Sequence, residues 1–267
     1  MTTFKLAALQ MTSLADKNAN LQTATRLVTQ AAQQGALWVG LPENCFWMGP
    51  PQQTSNMAET LEGPSVSAMA NLAKRLGVGI LVGSFLEKHE SSEKPYNSSV
   101  LLSPQGECLP VYRKIHLFDA ETGEHHHESA NISPGNSPTC IHTPAGIMGL
   151  SICYDVRFPE LYRQLSSQGA QLLWVPAAFT WETGCAHWEI LLRARAIENL
   201  CWLAAPAQTG QHSPNRKTFG HAMVVDPWGK VVARCEEAEG MALATIDLQL
   251  LAEIRSRLPA LQHRRLK

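Results

Sequence analysis

The sequence predicts an α/β protein, a four-layer α-β-β-α sandwich made of two β-α-β-α-β-β-like halves. Three observations predict it. Short apolar runs alternate with stretches of helical spacing along the whole chain. The order of those elements occurs twice, so two similar sheets can pack together with helices outside. No linker or low-complexity stretch divides the 267 residues, and 1–267 reads as one domain.

Phe4–Gln10 is the first strand. Leu21, Ala24, Leu27, Val28 and Ala31 then recur at helical spacing, and Gly35 ends that helix. Ala36–Leu41 is the second strand, closed by Pro42-Glu43. Gly63-Pro64 precede a helix over Ser65–Leu76, which Gly77 stops, and Val78–Phe85 is the third strand. Asn97–Leu102 and Glu107–Tyr112 flank the turn signature Ser103-Pro-Gln-Gly106 and read as a hairpin. The second half repeats the series. Ile147–Cys153 answers the first strand, and Gln168-Gly-Ala-Gln-Leu-Leu-Trp-Val-Pro176 echoes Gln34-Gly-Ala-Leu-Trp-Val-Gly-Leu-Pro42. Leu200–Gln208 answers Val78–Phe85. Pro227 and Gly229 repeat Pro104 and Gly106 at one common offset, while Gly35 and Gly169 lie further apart. The first half therefore carries extra residues after its hairpin, in the His-rich segment 115–145. Ile190, Leu191, Ala194 and Ile197 share a helix face that is expected to meet the core, with Glu189 and Arg193 paired one turn apart. The basic tail Leu258–Lys267 is expected to be solvated or packed on a partner subunit.

Composition sets limits on function. With 45% hydrophobic and 17% charged residues the chain can bury a sizeable core and is not disordered. A net charge of −1 argues against nucleic acid or a membrane surface as the main partner. The seven cysteines are odd in number and include no CxxC, which suits free thiols in a reducing compartment. The N-terminus lacks a signal-peptide pattern, and no apolar run approaches the ~18 residues of a membrane span. A cytoplasmic location is expected.

Chemistry gathers beyond the carboxyl ends of strands in α/β sheets. Glu43, Lys114 and Cys153 each stand at such an end. Cys153 closes an apolar strand, and Phe158-Pro159-Glu160 then open a helix, so the thiol sits on a strand-to-helix elbow suited to a nucleophile. A lone cysteine is more often a buried structural thiol, and Glu43 or Lys114 alone could be a cap or an exposed hairpin end. Together a carboxylate, an ammonium and a thiol can work as a unit. The acid takes the thiol proton and the ammonium stabilises the developing oxyanion.

Leu41-Pro-Glu-Asn44, Tyr112-Arg-Lys-Ile-His-Leu-Phe-Asp119 and Gly149-Leu-Ser-Ile-Cys-Tyr-Asp-Val-Arg-Phe-Pro-Glu160 resemble, in order, the three signatures of the nitrilase superfamily, the carbon–nitrogen hydrolases. The resemblance implies the same four-layer sandwich, with Glu43 as general base, Lys114 as oxyanion stabiliser and Cys153 as nucleophile. It also implies a second acid assisting the lysine, at Glu128. Ala186–Glu198, Gly220–Gly229 and Leu258–Arg265 are similar to the Nit branch, which implies hydrolysis of deaminated glutathione to 2-oxoglutarate and cysteinylglycine. The enzyme class this implies works through an acyl-thioester, takes a small-molecule amide, needs no cofactor or metal, and forms a homodimer or larger homo-oligomer. An ω-amidase acting on α-ketoglutaramate is the neighbouring possibility. An interaction scaffold with the same fold is the rival class, and the intact set of three reactive residues counts against it.

Around the reacting amide, a backbone N–H near Tyr154 is expected to help hold the oxyanion. Arg157 is a candidate for a substrate carboxylate or for a structural pair with Glu160, since a guanidinium fork suits either. Phe179, Thr180 and segment 120–130 are the expected walls. Relatives often have Pro-Gly where this chain has Thr122-Gly123. His125-His126-His127 beside Glu128 lack the separated spacing of a tetrahedral site, so no metal is expected there. His116, His142 and His221 are expected to be hydrogen-bonded or surface residues.

Overall fold

The layering is decided in the first strand. In the computed structural model, which describes residues 2–122 and 124–266, β1 (Thr3–Met11) is buried on both faces over most of its length. Phe4, Leu6 and Ala8 enter one apolar cluster and Ala7, Leu9 and Met11 another, as a strand between two layers requires. The outer layer on the second of these faces begins with α1 (Lys17–Gln33), which buries Ala24, Leu27, Val28 and Ala31. Asp16 caps it, accepting from the Ala19 N–H at 3.0 Å. The strand β2 (Ala36–Gly40), the short α2 (Thr54–Met57), α3 (Pro64–Leu76), β3 (Gly79–Glu87), β4 (Tyr96–Leu102) and β5 (Cys108–Arg113) follow. Gly35 and Gly77 end the two long helices in left-handed conformation. After them come the hairpin β6 (Asp119–Thr122) and β7 (Glu124–His127), then β8 (Thr139–Thr143).

The second half runs β9 (Gly146–Leu150), α4 (Pro159–Ser167), β10 (Leu172–Trp174), α5 (Trp181–Asn199) and β11 (Trp202–Ala205). It continues through the hairpin β12 (Ala207–Ser213) and β13 (Arg216–Phe219), then β14 (Met223–Val225), β15 (Val231–Arg234), β16 (Gly240–Asp247) and α6 (Leu248–Arg257). One sheet has the order β13-β12-β1-β2-β3-β4-β5, with β16 also paired to β1; the other has the order β15-β14-β11-β10-β9-β8. The duplication is visible in those orders. β1-β2-β3 are parallel with β4 and β5 antiparallel beyond them, and β9-β10-β11 with β14 and β15 repeat that pattern.

The sheets meet face to face. Gly40 has no Cβ because the Trp174 ring fills that space: a Cβ there would lie 2.4 Å from the ring. Leu81, Leu101 and Tyr112 from the first sheet share a core with Met148, Trp174 and Leu203 from the second. Leu161, Tyr162 and Leu165 of α4 and Trp188, Leu192 and Ala196 of α5 cover the outer face of the second sheet. The α-β-β-α order is therefore the one the sequence predicts. Among the described residues no helix is long and apolar enough to cross a membrane.

Two expectations about elements are corrected. Leu200–Gln208 is not one strand. The break falls at Pro206, whose missing N–H cannot serve a ladder, and the chain passes there from β11 in one sheet to β12 in the other. The inward face of α5 is also different. Trp188, Leu192, Ala196 and the polar Arg195 and Asn199 are buried, whereas Ile190 and Ile197 are 69% and 47% exposed. Arg195 is buried because its guanidinium donates to the Val156 carbonyl at 2.8 Å and to Glu198 at 2.9 Å. An arginine on the inner face hides it from a periodicity reading. The expected Glu189–Arg193 pair is present at 3.3 Å.

Candidate active site

Glu43 is placed by a close backbone crossing. The chain leaves β2 through Leu41-Pro42, and a Cβ on Gly83 of β3 would lie 1.8 Å from the Leu41 carbonyl oxygen. Only glycine permits this approach. Ser84 then fixes the turn, its N–H donating to Pro42 O at 3.2 Å and its hydroxyl accepting from Asn44 N at 2.9 Å. The Glu43 carboxylate is thereby directed into the molecule, where it is 3% exposed.

Three donors hold that carboxylate. Oε1 accepts from Lys114 Nζ at 3.0 Å and Asn97 Nδ2 at 2.9 Å, and Oε2 accepts from the Ala178 N–H at 2.8 Å. Lys114 follows β5 and is 2% exposed; its ammonium also donates to Glu128 Oε2 at 2.7 Å. Glu128 begins a short 3-10 turn over 128–130, accepting the Phe118 N–H at 2.7 Å as well. Asn97 of β4 bridges the two acids, since its Nδ2 donates to Glu128 Oε1 at 3.0 Å besides Glu43. Its Oδ1 is buried without a hydrogen-bond partner among the described residues. Turning the amide over would set that oxygen against two carboxylates, so the orientation is fixed by charge.

Cys153 stands on the elbow that the sequence places there. Its φ is +49°, in the left-handed region that costs a residue with a Cβ about 1 kcal/mol, and its N–H donates to Pro176 O at 2.9 Å. The conformation is held by Asp155, which is fully buried. Asp155 Oδ2 accepts from the Ile152 N–H at 2.8 Å and the Tyr112 hydroxyl at 2.7 Å. Oδ1 accepts from the His116 N–H at 3.1 Å and meets His116 Nδ1 at 2.7 Å. One carboxylate thus ties the Cys153 elbow to the strand end that carries Lys114. His116 is further fixed by stacking on Phe158 at 3.7 Å.

The charge states follow from this packing. Burial pushes the Glu43 carboxyl up, but the Lys114 ammonium and the hydrogen bonds from Cys153, Lys114 and Ala178 outweigh it and hold the group below the usual carboxylate range. For Lys114 burial acts downward, and the charges of Glu128 and Glu43 reverse it, leaving the lysine well above its ordinary value. Burial first, and then the Glu43 charge, push the Cys153 thiol well up. The resting arrangement is a carboxylate, an ammonium and a neutral thiol that line one cavity. An ammonium has three donors, and two of them go to carboxylates, which leaves one for an oxygen of a bound molecule.

These groups share a cavity of about 170 Å³. Glu43, Lys114, Glu128, Cys153 and Asn97 line it, with Trp47, Phe118 and Ile132 as apolar wall. Of the expected walls, Thr180 lines the cavity, and so do His127 and Glu128 of segment 120–130. The side chains of Thr122 and residues 124–126, and Gly123 altogether, lie outside the described residues, so the Thr122-Gly123 departure and His125-His126 are not placed. Phe179 is buried behind the wall, 5.0 Å from the Trp188 ring, and Tyr154 packs on Phe118 at 4.9 Å and Phe158 at 5.3 Å. Neither lines the cavity. Arg157 is not among the lining residues either. Its guanidinium lies over the Phe179 ring at 5.3 Å and meets His187 Nδ1 at 3.3 Å, with no pair to Glu160. Asn97, Asp155 and Arg216, which also lines the cavity, are the residues the sequence reading missed. A polar run, Asn97-Ser-Ser99, inside a buried strand was the available signal for Asn97.

A family model described as carbon-nitrogen hydrolase matches residues 5–256. The chain is 46% identical over 269 residues to the deaminated glutathione amidase of Synechocystis sp., covering 99% of each. It is 45% identical to the human protein of that name, over 97% of this chain and 82% of the other. Among solved structures, the NitFhit protein of C. elegans superposes with a TM-score of 0.94 at 40% identity, covering 99% of this chain and 66% of that longer one. With the fold, the order of its motifs and near full-length similarity all in agreement, this chain belongs to the carbon–nitrogen hydrolase family, in the Nit branch of the nitrilase superfamily.

Proposed function

We propose that the chain is a thiol amidohydrolase in which Cys153 is the nucleophile, Glu43 the general base and acid, and Lys114, assisted by Glu128, the oxyanion stabiliser. The observation that carries this reading is the carboxylate–ammonium–carboxylate trio that lines one cavity with a single thiol. The thiol proton passes to Glu43 as sulfur attacks the amide carbon, and the oxygen takes up negative charge beside the Lys114 ammonium. Glu43 returns the proton to the departing amine, leaving an acyl-thioester on Cys153. Water then gives a proton to Glu43 and attacks the thioester, the carboxylic acid leaves, and the thiol is restored. Water is the sole co-reactant.

The proposed substrate is deaminated glutathione, cleaved to 2-oxoglutarate and cysteinylglycine; near full-length similarity to amidases of that name supports it. Release of 2-oxoglutarate from deaminated glutathione and from α-ketoglutaramate tests the choice. The expected kcat/KM is at least about tenfold higher for deaminated glutathione, the scale on which a pocket separates neighbouring substrates. The reverse order makes the protein an ω-amidase, and no turnover of these two or of a neutral aliphatic amide ends the amidase reading.

The charge states give a second expectation. Glu43 has a lowered value, so its basic form is complete above the carboxylate range and is lost as pH falls through it. Lys114 and Cys153 titrate well above neutrality. The kcat/KM profile should therefore be flat between about pH 5.5 and 9. A tenfold rise per pH unit across that window would mean that a pre-formed thiolate is the reactive species, and the neutral-thiol scheme would fail.

We also propose that copies associate and that the protein works in a reducing, cytoplasmic setting. Ile190 and Ile197 on α5 and the neighbouring Trp228 are 69%, 47% and 63% exposed, an apolar surface that association would cover. All seven cysteines are free. Sedimentation of the full chain reads the association directly, and a monomer at micromolar concentration would refute it.

A further inference from the structure

The cavity has an unassigned cation. At its floor Lys114 is shared between two acids, so its charge is already balanced. Arg216, the first residue of β13, is half-buried and lines the same cavity. Among the described residues its guanidinium has no hydrogen-bond or ion-pair partner. Other arginines with restricted exposure are all held. Arg113 is bound by Glu87 at 2.6 and 2.8 Å, Arg195 by the Val156 carbonyl and Glu198, and Arg255 by the carbonyls of Leu200 at 2.9 Å and Ala170 at 2.7 Å. A guanidinium partly withdrawn from water without an acceptor is costly unless a ligand supplies one.

The position is also well fixed. His212 of β12 meets Ser13 O at 2.8 Å through Nδ1 and the Thr218 hydroxyl at 2.7 Å through Nε2. Thr218 bridges Thr180, which lines the cavity. The hairpin that carries Arg216 is thus tied to both the first strand's loop and the cavity wall, and the planar fork stands on a rigid support. Arg157, in contrast, is committed to two aromatic rings and His187 outside the lining.

We infer that Arg216 is a carboxylate-binding subsite of the cavity, pairing with a substrate carboxylate remote from the scissile amide and so selecting anionic amides over neutral ones. The inference rests on the amidase reading above. A substrate such as deaminated glutathione offers two carboxylates, one on the keto-acid arm that becomes the acyl group and one on the glycine arm that leaves. α-Ketoglutaramate offers only the first.

The test is kcat/KM of wild type, Arg216→Gln and Arg216→Lys on deaminated glutathione, α-ketoglutaramate and a neutral aliphatic amide. In Arg216→Gln the ratio of anionic to neutral kcat/KM should fall about ten- to hundredfold, the worth of one charged hydrogen bond. The loss should appear in KM rather than kcat, and Arg216→Lys should recover part of it. A ratio that falls only with deaminated glutathione assigns the carboxylate to the leaving arm; a ratio that falls with both assigns it to the acyl arm. An unchanged ratio for both anionic substrates overturns the inference while leaving the amidase reading intact. Wild type inactive on all three amides overturns that reading instead, and the subsite with it.

Discussion

Cys153→Ala should eliminate amide hydrolysis, with a loss on the order of 10⁴-fold or more, because in the proposed mechanism its thiol forms the acyl-enzyme. The fold should survive. The change removes one sulfur from a site that is 8% exposed, and Glu43 keeps its bonds from Lys114, Asn97 and Ala178. A cost of about 1 kcal/mol corresponds to only about 2–4 °C in Tm for a chain of this size. The wild type incubated with a slowly hydrolysed amide should gain one acyl mass, and peptide mapping should find it on Cys153. The remaining thiols have no such setting. Burial pushes Cys45 up to about 12 and Cys201 to about 11, and each is hydrogen-bonded to backbone carbonyl oxygen. Cys108 and Cys185 are exposed and are not among the residues lining the cavity. Acylation of one of these, with Cys153→Ala still active, would overturn the assignment.

The fold was legible because its strands are buried on both faces or alternate cleanly, and because glycine and proline mark their ends. β1, β2, α3, β3 and the β4–β5 hairpin fall within a residue or two of their expected bounds, and α1 starts at Lys17, ahead of its first expected apolar position, Leu21. What failed has a physical cause in each case. Pro206 separates two strands that are contiguous in sequence and apolar throughout, so periodicity cannot see that they belong to different sheets. Arg195 and Asn199 take inward positions on α5 by bonding backbone oxygen and Glu198, which displaces Ile190 and Ile197 to the surface. The cavity follows the same division. Glu43, Lys114 and Cys153 stand at strand ends within recognisable motifs, and the structure brings them together with Glu128. Asn97 and Asp155 act through contacts between segments far apart in sequence, such as the 2.7 Å bond from Tyr112 to Asp155, and Arg216 reaches the cavity from a hairpin far along the chain. No local pattern announces such contacts.

Lys114→Met should cost at least as much activity as Glu43→Gln, and for a separate reason. Glu43→Gln keeps the shape but replaces the proton acceptor with an amide, so turnover should fall by roughly 10²–10⁴, the usual worth of a positioned base. Its Nε2 must also face either Ala178 N or the Lys114–Asn97 pair, where donors already point. Lys114→Met removes the proposed oxyanion partner and leaves the buried Glu43 and the half-buried Glu128 with only the Asn97 amide between them. Two adjacent carboxylates without a cation cannot both stay ionised, so one takes a proton and its value rises. Glu43 is then no longer held below the carboxylate range, and its basic form appears only at higher pH. The residual activity of Lys114→Met should therefore climb toward neutral pH, where wild type is flat. Restoring charge balance by adding Glu128→Gln should move that acid limb back down without restoring the rate, because the oxyanion is still unpaired. Breaking a buried charge group costs about 3–5 kcal/mol of stability, so Lys114→Met should also melt well below wild type. Near-normal turnover at saturating substrate in either single variant would remove that residue from the mechanism. A Lys114→Met profile with the acid limb of wild type would show that the lysine does not set the charge on Glu43.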